Sequence, residues 1–260
     1  MFSLHTADLR KINSLTKYPS IPTYHEIDKR GILHEKPLTF DGPVYGTEKV
    51  DGTNARAIML PDGSWLLGSR EDLLTARGDI VANPQLGIVD ALAPIADTLR
   101  GRQDVIVALY FEVYGSKQLP AWKQYGNGEP AVRLFDAAVI DLDMLGWQIE
   151  AIASWRQNGG QPFLDEADLQ QAAALASVEL APRLFEIDGG DLPAGIQEMR
   201  DFMQPYSLTR VATGPAGESE GIVLRTADRK VIAKARFKDY DRALKHLIGG
   251  SLNRHPRRAI

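Results

Sequence analysis

The sequence predicts an α+β fold built mainly on antiparallel strands, in one continuous domain over 1–260. Three observations lead there. Short apolar segments follow one another through turns bearing Gly and Asp, stretches of helical period interrupt them, and neither an internal repeat nor a low-complexity linker divides the chain. Strands joined by tight turns pair antiparallel, because a parallel partner needs a long crossover.

In chain order, the first forty residues are rich in Pro, Tyr, His and Lys (KYPSIPTYHEIDKRG), and prolines at 19 and 22 argue against a long helix there. From Val44, VYGTEKV, ARAIML, a PDG turn and SWLLGSR read as successive strands of a meander, with Asp51-Gly52 as a hairpin turn. Gln85 to Arg100 has apolar residues at 86, 88, 89, 92, 95, 96 and 99, a helical period that Pro94 should kink. DVIVALYFEVYG and VRLFDAAVIDL are apolar runs of strand length, while Asp165 to Val178 and Gly195 to Met203 read as helices opened by acid or turn residues. SEGIVLRT and KVIAKARF suggest a hairpin around Asp228 and Arg229, followed by a helix from about Tyr240 to Ile248.

Composition narrows the chemistry. At 260 residues the chain can bury a core without disulfide or metal staples. No apolar run approaches the roughly 20 residues needed to span a bilayer, so no membrane insertion is expected. The opening MFSLHTADLRKINS has an acid and polar residues where a signal peptide carries its apolar region, which predicts a cytoplasmic protein. The absence of cysteine excludes thiolate zinc sites and cysteine nucleophiles. His5, His25, His34, His246 and His255 are scattered, so a metal here should be a hard ion held by carboxylate and phosphate. The net charge of -4 is unevenly spread: Arg225 to Ile260 holds eleven Lys or Arg against three Asp. Such a segment suits a phosphate-bearing partner or a solubilising tail.

Glu48 to Asn54 reads EKVDGTN, and Lys49 is either an exposed lysine beside a turn or a lysine presented as a nucleophile. Further elements follow in order: Ser69-Arg70, Phe111-Glu112-x-Tyr114-Gly115, Leu134-Phe135-Asp136, Glu220-Gly221-Ile222-Val223-Leu224-Arg225, and Lys234-x-Arg236. Glu112 is a charge inside an apolar run, so it needs a partner, either a ligand hydroxyl or a core arginine. Phe135 would be assigned to the core by spacing alone, and residues 234, 236 and 238 alternate to one side of a strand.

Taken together, the set resembles the covalent nucleotidyltransferase superfamily of ATP-dependent ligases and capping enzymes. Within it, Glu before the lysine, Gly52-Thr53-Asn54 after it and the N-terminal KYPSI resemble the RNA ligase 2-like family of ATP-dependent RNA ligases over about residues 15 to 245. The resemblance implies a nucleotidyltransferase (ATP-grasp-like adenylation) domain of antiparallel sheets flanked by helices. It also implies that Lys49 attacks the α-phosphate of ATP and becomes lysyl-AMP. A lysine amine must be neutral to do so, which at the ordinary lysine pKa of about 10.4 costs roughly 4.6 kcal/mol at pH 7, and neighbouring positive charge lowers that cost.

The same resemblance gives roles to the other residues. Arg70, Lys234 and Arg236 contact phosphates, with Arg236 standing where the family usually has a second lysine. Glu220 helps hold Mg²⁺ or Mn²⁺, Glu112 meets the ribose, Phe135 and Val223 lie against the adenine, Glu48 contacts its amino group, and Asn54 serves sealing. The implied activity is an ATP-dependent RNA ligase joining 5'-phosphate and 3'-hydroxyl ends, acting on nicked or paired RNA, with duplexes that contain DNA as a second candidate substrate. A DNA nick ligase, a capping guanylyltransferase and a non-catalytic nucleotide- or RNA-binding module of the same fold are the alternatives. About twenty residues follow the last motif, so neither an OB domain nor a helical C-terminal domain is expected. The basic end, 249–260, is expected to help grip phosphates, and 151–215 to form an insertion with two helices and the segment PRLFE.

Overall fold

In the computed structural model, residues 2–76, 79–80, 87–126 and 128–252 are described. Gln85 and Leu86 of the expected helix and the basic end from 253 onward lie outside them. In chain order the elements begin with α1 (Leu9–Thr16), β1 (His25–Ile27), β2 (Leu33–Pro37), β3 (Pro43–Lys49), β4 (Thr53–Met59), β5 (Trp65–Ser69), β6 (Leu73–Ala76), β7 (Asp79–Ile80) and α2 (Ile88–Thr98). They continue with β8 (Val105–Tyr114), β9 (Ala131–Asp141), α3 (Ile149–Gln157), α4 (Glu166–Leu175), β10 (Arg183–Asp188), α5 (Ile196–Met203), β11 (Gly221–Thr226), β12 (Ile232–Arg236) and α6 (Phe237–Leu252). The fold is α+β with antiparallel sheets flanked by helices.

Contacts divide the chain into two units. Met1–Ser20, Val50–Ala181 and Val211–Gly217 form the first; Ile21–Lys49, Pro182–Arg210 and Glu218–Ile260 form the second. Strand pairing defines these units, and no shift in composition marks the crossings.

The first unit is a six-stranded sheet in the order β7-β6-β5-β4-β8-β9. One face buries Ala55, Ala57, Leu67, Leu109, Phe111 and Leu134 against α2 and α4, which contribute Ile88, Leu92 and Ala96, and Leu169 and Ala173. Residues spaced by four on a helix share one face, so α2 keeps its apolar stripe even with Pro94 inside it. α1 is a short helix that ends before Pro19. Asp8 caps it by accepting from the Arg10 N–H at 2.9 Å, and Ile12 and Leu15 are fully buried.

The second unit carries the sheet β10-β3-β11-β12 and the hairpin β1-β2. Val44, Ile222, Leu224, Ala233 and Ala235 pack against Ile196, Met199 and Met203 of α5 and Tyr240 and Ala243 of α6. Arg229 adopts φ 63 at the β11–β12 turn, where the hairpin is expected.

Three expectations need correction. β3 and β4 are strands, but Asp51-Gly52 is not a hairpin turn between them, because β3 pairs with β10 and β11 and β4 with β5 and β8. Alternation along a strand identifies the strand and not its partner. Gly52 is instead needed for close approach to β8, since a Cβ there would lie 2.3 Å from the Val113 carbonyl oxygen. α6 starts at Phe237, so Lys238 sits on a helix and does not continue the face of Lys234 and Arg236. Residues 151–215 contain three helices or parts of them rather than two, and PRLFE supplies strand β10. Among the described residues, no helix is long and apolar enough to cross a membrane.

Candidate active site

Of the ten residues singled out from the sequence, Glu48, Lys49, Glu220, Val223, Lys234 and Arg236 belong to the second unit, and Asn54, Arg70, Glu112 and Phe135 to the first.

In the second unit, register places Lys49, Gly221 and Arg236 in one row across β3, β11 and β12, with Thr47, Val223 and Lys234 in a row two residues away. Side chains alternate along strands, so both rows face the same side. Lys49 Nζ donates to Glu220 Oε2. Arg236 Nη1 lies 4.0 Å from Glu220 Oε1, and its Nε donates to Asp239 Oδ2 at 2.6 Å. Lys49, Glu220, Arg236 and Asp239 therefore alternate in charge. Glu220 and Asp239 are largely buried, with side chains 13% and 2% exposed, and carboxylates so placed need such partners. Asp239 also sits in the first turn of α6, where the helix dipole favours an acid. Gly221 makes the close strand approach possible: a Cβ there would lie 2.1 Å from the Ala235 carbonyl oxygen.

Lys234 is fixed through its backbone, its N–H donating to Pro22 O and its carbonyl accepting from the Tyr24 N–H, both at 2.9 Å. Val223 is half-buried. Glu48 points to the opposite face from Lys49 and is buried, accepting from Thr209 Oγ1 at 2.5 Å and from the Arg210 N–H at 2.8 Å. A carboxylate has about four acceptor positions, so capacity remains on both oxygens.

In the first unit, Asn54 on β4 stands across from Glu112 on β8. Glu112 Oε1 accepts the Gly52 N–H at 3.1 Å, and the Asp51 N–H donates to the Tyr125 hydroxyl at 2.5 Å. Two successive amides of the EKVDGTN segment are thus held. Asn54 Oδ1 is buried with no hydrogen-bond partner among the described residues, a feature that asks for a functional explanation.

Arg70 and Phe135 are held through the KYPS segment. Arg70 Nη2 donates to Ser20 Oγ at 2.6 Å, and Lys17 pairs with Glu71 at 3.0 Å. Phe135 falls where the β8–β9 register shifts, and this bulge leaves its ring half-buried rather than in the core, edge-on to Tyr18 at 5.0 Å. The Tyr18 hydroxyl donates to buried Asp136 at 2.9 Å. Sequence reasoning missed Asp239, Thr209 and Tyr125 as supports. Only Asp239 carried a local signal, an acid three residues after Arg236 at a strand-to-helix junction.

The sequence profile of the RNA ligase family matches residues 42–240. Among solved structures, the chain resembles a variant of Naegleria gruberi RNA ligase with ATP and Mn, at 15% identity and a TM-score of 0.52 over 80% of this chain and 52% of that one. An apo variant of that ligase matches at 14% identity and a TM-score of 0.54, over 90% and 62%. A third variant, with ATP and Mn, matches at 15% identity and 0.53, over 90% and 63%. The chain therefore spans less than two thirds of the length of these ligases, and at such identity the likeness speaks for the fold. Comparison with curated protein sequences gives no match. The profile covers most of the chain and takes in every motif from Glu48 to Arg236, and on that match the chain belongs to the RNA ligase family.

Proposed function

We propose that this protein is an ATP-dependent RNA ligase working through lysyl-AMP. The observation that carries the reading is Lys49, paired with Glu220 on the same sheet face as Lys234 and Arg236. In the first step the neutral Lys49 amine attacks the α-phosphorus of ATP, forming an N–P bond as pyrophosphate leaves. The 5'-phosphate of RNA then displaces Lys49 and takes the adenylyl group. Finally the 3'-hydroxyl attacks that 5'-phosphorus, the phosphodiester forms, and AMP departs. Such chemistry depends on positioning and on neutralising charge at the phosphates. Lys234 and Arg236 serve that end.

The remaining roles follow the family resemblance. Glu48 reads the adenine amino group through its remaining acceptor positions, and Val223 packs on the base. In the first unit Phe135 stacks on adenine, its bulge having turned it out of the core, Glu112 contacts ribose, and Arg70 contacts phosphate. Asn54 takes part in sealing, for which its unmatched Oδ1 is suited.

Among the described residues no group of three or more His, Asp or Glu is arranged to hold a metal. Glu220 alone still fits Mg²⁺ or Mn²⁺, because such an ion needs one or two carboxylates when substrate phosphates complete its shell. When bound, it supplies charge neutralisation on those phosphates. The Naegleria structures that hold ATP and Mn support this choice of nucleotide and ion.

The test is incubation with ATP and Mg²⁺ followed by intact-mass measurement, then nick sealing with an RNA or a DNA 3'-hydroxyl strand. An adenylyl adduct and preferential sealing of the RNA strand are expected. A protein that never acquires the adduct would sink the enzyme reading, and equal or better sealing of DNA would move the substrate assignment to DNA.

Asp239 gives a more specific expectation. Asp239→Asn weakens the hold on the Arg236 Nε, so KM for ATP in lysine adenylylation should rise about tenfold, equivalent to about 1.4 kcal/mol. The maximal rate should change much less. A lowered maximal rate at unchanged KM would contradict an Arg236 that acts in nucleotide binding.

A further inference from the structure

α6 has two unlike sides. Tyr240 and Ala243 are buried in the core, whereas Lys238, Arg242 and Lys245 are exposed. Spacings of four and three residues put these three cations on one face, over about 10 Å of helix axis. Of the acids of the helix, Asp239 is buried against Arg236, and Asp241, half-exposed, is engaged by Arg200 Nε at 2.7 Å.

The cationic surface extends beyond the helix. Arg242 Nη1 donates to the Gly31 carbonyl at 3.2 Å, which places the turn between β1 and β2 beside α6. That turn carries exposed Lys29 and also Arg30, whose Nε is paired with Asp28 at 3.1 Å. Among the described residues, no acid is paired with Lys29, Lys238, Arg242 or Lys245. The four share no carboxylate that would neutralise them.

We infer that this face of α6, with the β1–β2 turn, is a docking surface for the phosphodiester backbone of the RNA substrate. The inference rests on the RNA ligase reading and extends it to residues outside the nucleotide motifs. A row of separate cations matches a chain of phosphates better than a single anion, and phosphate contacts of this kind position a strand without reading its sequence. A lipid surface fits less well. Leu247 is the one large apolar side chain exposed on α6 among the described residues, and it projects from the side opposite the cations, whereas an interfacial helix inserts apolar residues along one whole face.

The test compares wild type with the triple variant Lys29→Gln/Arg242→Gln/Lys245→Gln, whose positions lie outside the proposed nucleotide contacts. Binding to a nicked RNA duplex is measured across a salt series, alongside intact-mass adenylylation and thermal unfolding. Wild type should bind with a steep salt dependence. The variant should keep its adenylyl adduct and Tm, while the log–log salt slope falls by about 0.7–0.9 for each phosphate that is no longer neutralised. An unchanged slope and affinity in a variant that still adenylylates overturns the docking surface. A wild type that forms no adduct counts against the ligase reading, whatever the slope shows. Loss of binding to phosphatidylserine vesicles with RNA binding intact assigns the surface to lipid and overturns the proposal.

Discussion

Lys49→Ala should form no adenylyl adduct with ATP and Mg²⁺, and its sealing activity should fall by at least about ten-thousandfold, the scale on which loss of a covalent nucleophile acts. No neighbouring lysine can substitute. Lys234 is two strands away across β11, roughly 10 Å at ordinary strand spacing, and its backbone is fixed on both sides by Pro22 and Tyr24. Lys49→Arg should be as inactive, since a guanidinium stays charged and cannot attack phosphorus. The fold should survive both changes: Glu220 keeps Arg236 at 4.0 Å, and a loss near 1 kcal/mol lowers Tm by about 2–4 °C in a chain of this size. Intact-mass measurement reads the first outcome and thermal unfolding the second. An adduct that persists in Lys49→Ala would move the nucleophile elsewhere.

Motif residues were legible because their spacing along β3, β11 and β12 carries over directly into rows across one sheet. Once Lys49 is on one strand and Glu220-Gly221 opens another, the antiparallel ladder brings them together. Partners brought in by distant loops were not legible. Nothing near Glu48 announces Thr209, and nothing near Asp51 announces Tyr125, because those contacts depend on how loops far along the chain return. Phe135 shows a different gap. Period-two spacing assigns it to the core, and only the bulge seen in the β8–β9 register turns its ring outward. The strands of the supposed meander are recognisable from alternation, but their division between two sheets is not, since pairing is decided by contacts far apart in sequence.

Arg56 shows how much stability depends on a residue outside the motifs. It is among the largest fully buried side chains, with Nη1 donating to Asn13 O and Thr16 Oγ1, each at 3.0 Å, and Nη2 donating to Asn13 Oδ1. Burial lowers its pKa to about 10, which leaves it charged at neutral pH. Its charge lies against the last turns of α1, where helix carbonyls favour a cation. Gly68 leaves room for it, since a Cβ there would lie 2.7 Å from Arg56 Nε. Arg56→Ala removes the donor to buried Thr16 Oγ1 and to Asn13 Oδ1, leaves the Asn13 carbonyl with the Lys17 N–H alone and opens a cavity, so it should destabilise the first unit by about 3–5 kcal/mol. Arg56→Met fills most of that volume but still takes the donor from Thr16 Oγ1 and Asn13 Oδ1, so it should cost about 1–3 kcal/mol. Urea unfolding midpoints measure both, and an Arg56→Ala shift below about 1 kcal/mol would contradict the account. Because α1 runs directly into Lys17, Tyr18 and Ser20, which hold Glu71, Phe135 and Arg70, the same substitution should also weaken nucleotide binding in protein that is still folded. Equal ATP affinity in folded wild type and Arg56→Met would show that α1 anchors the first unit without setting those residues.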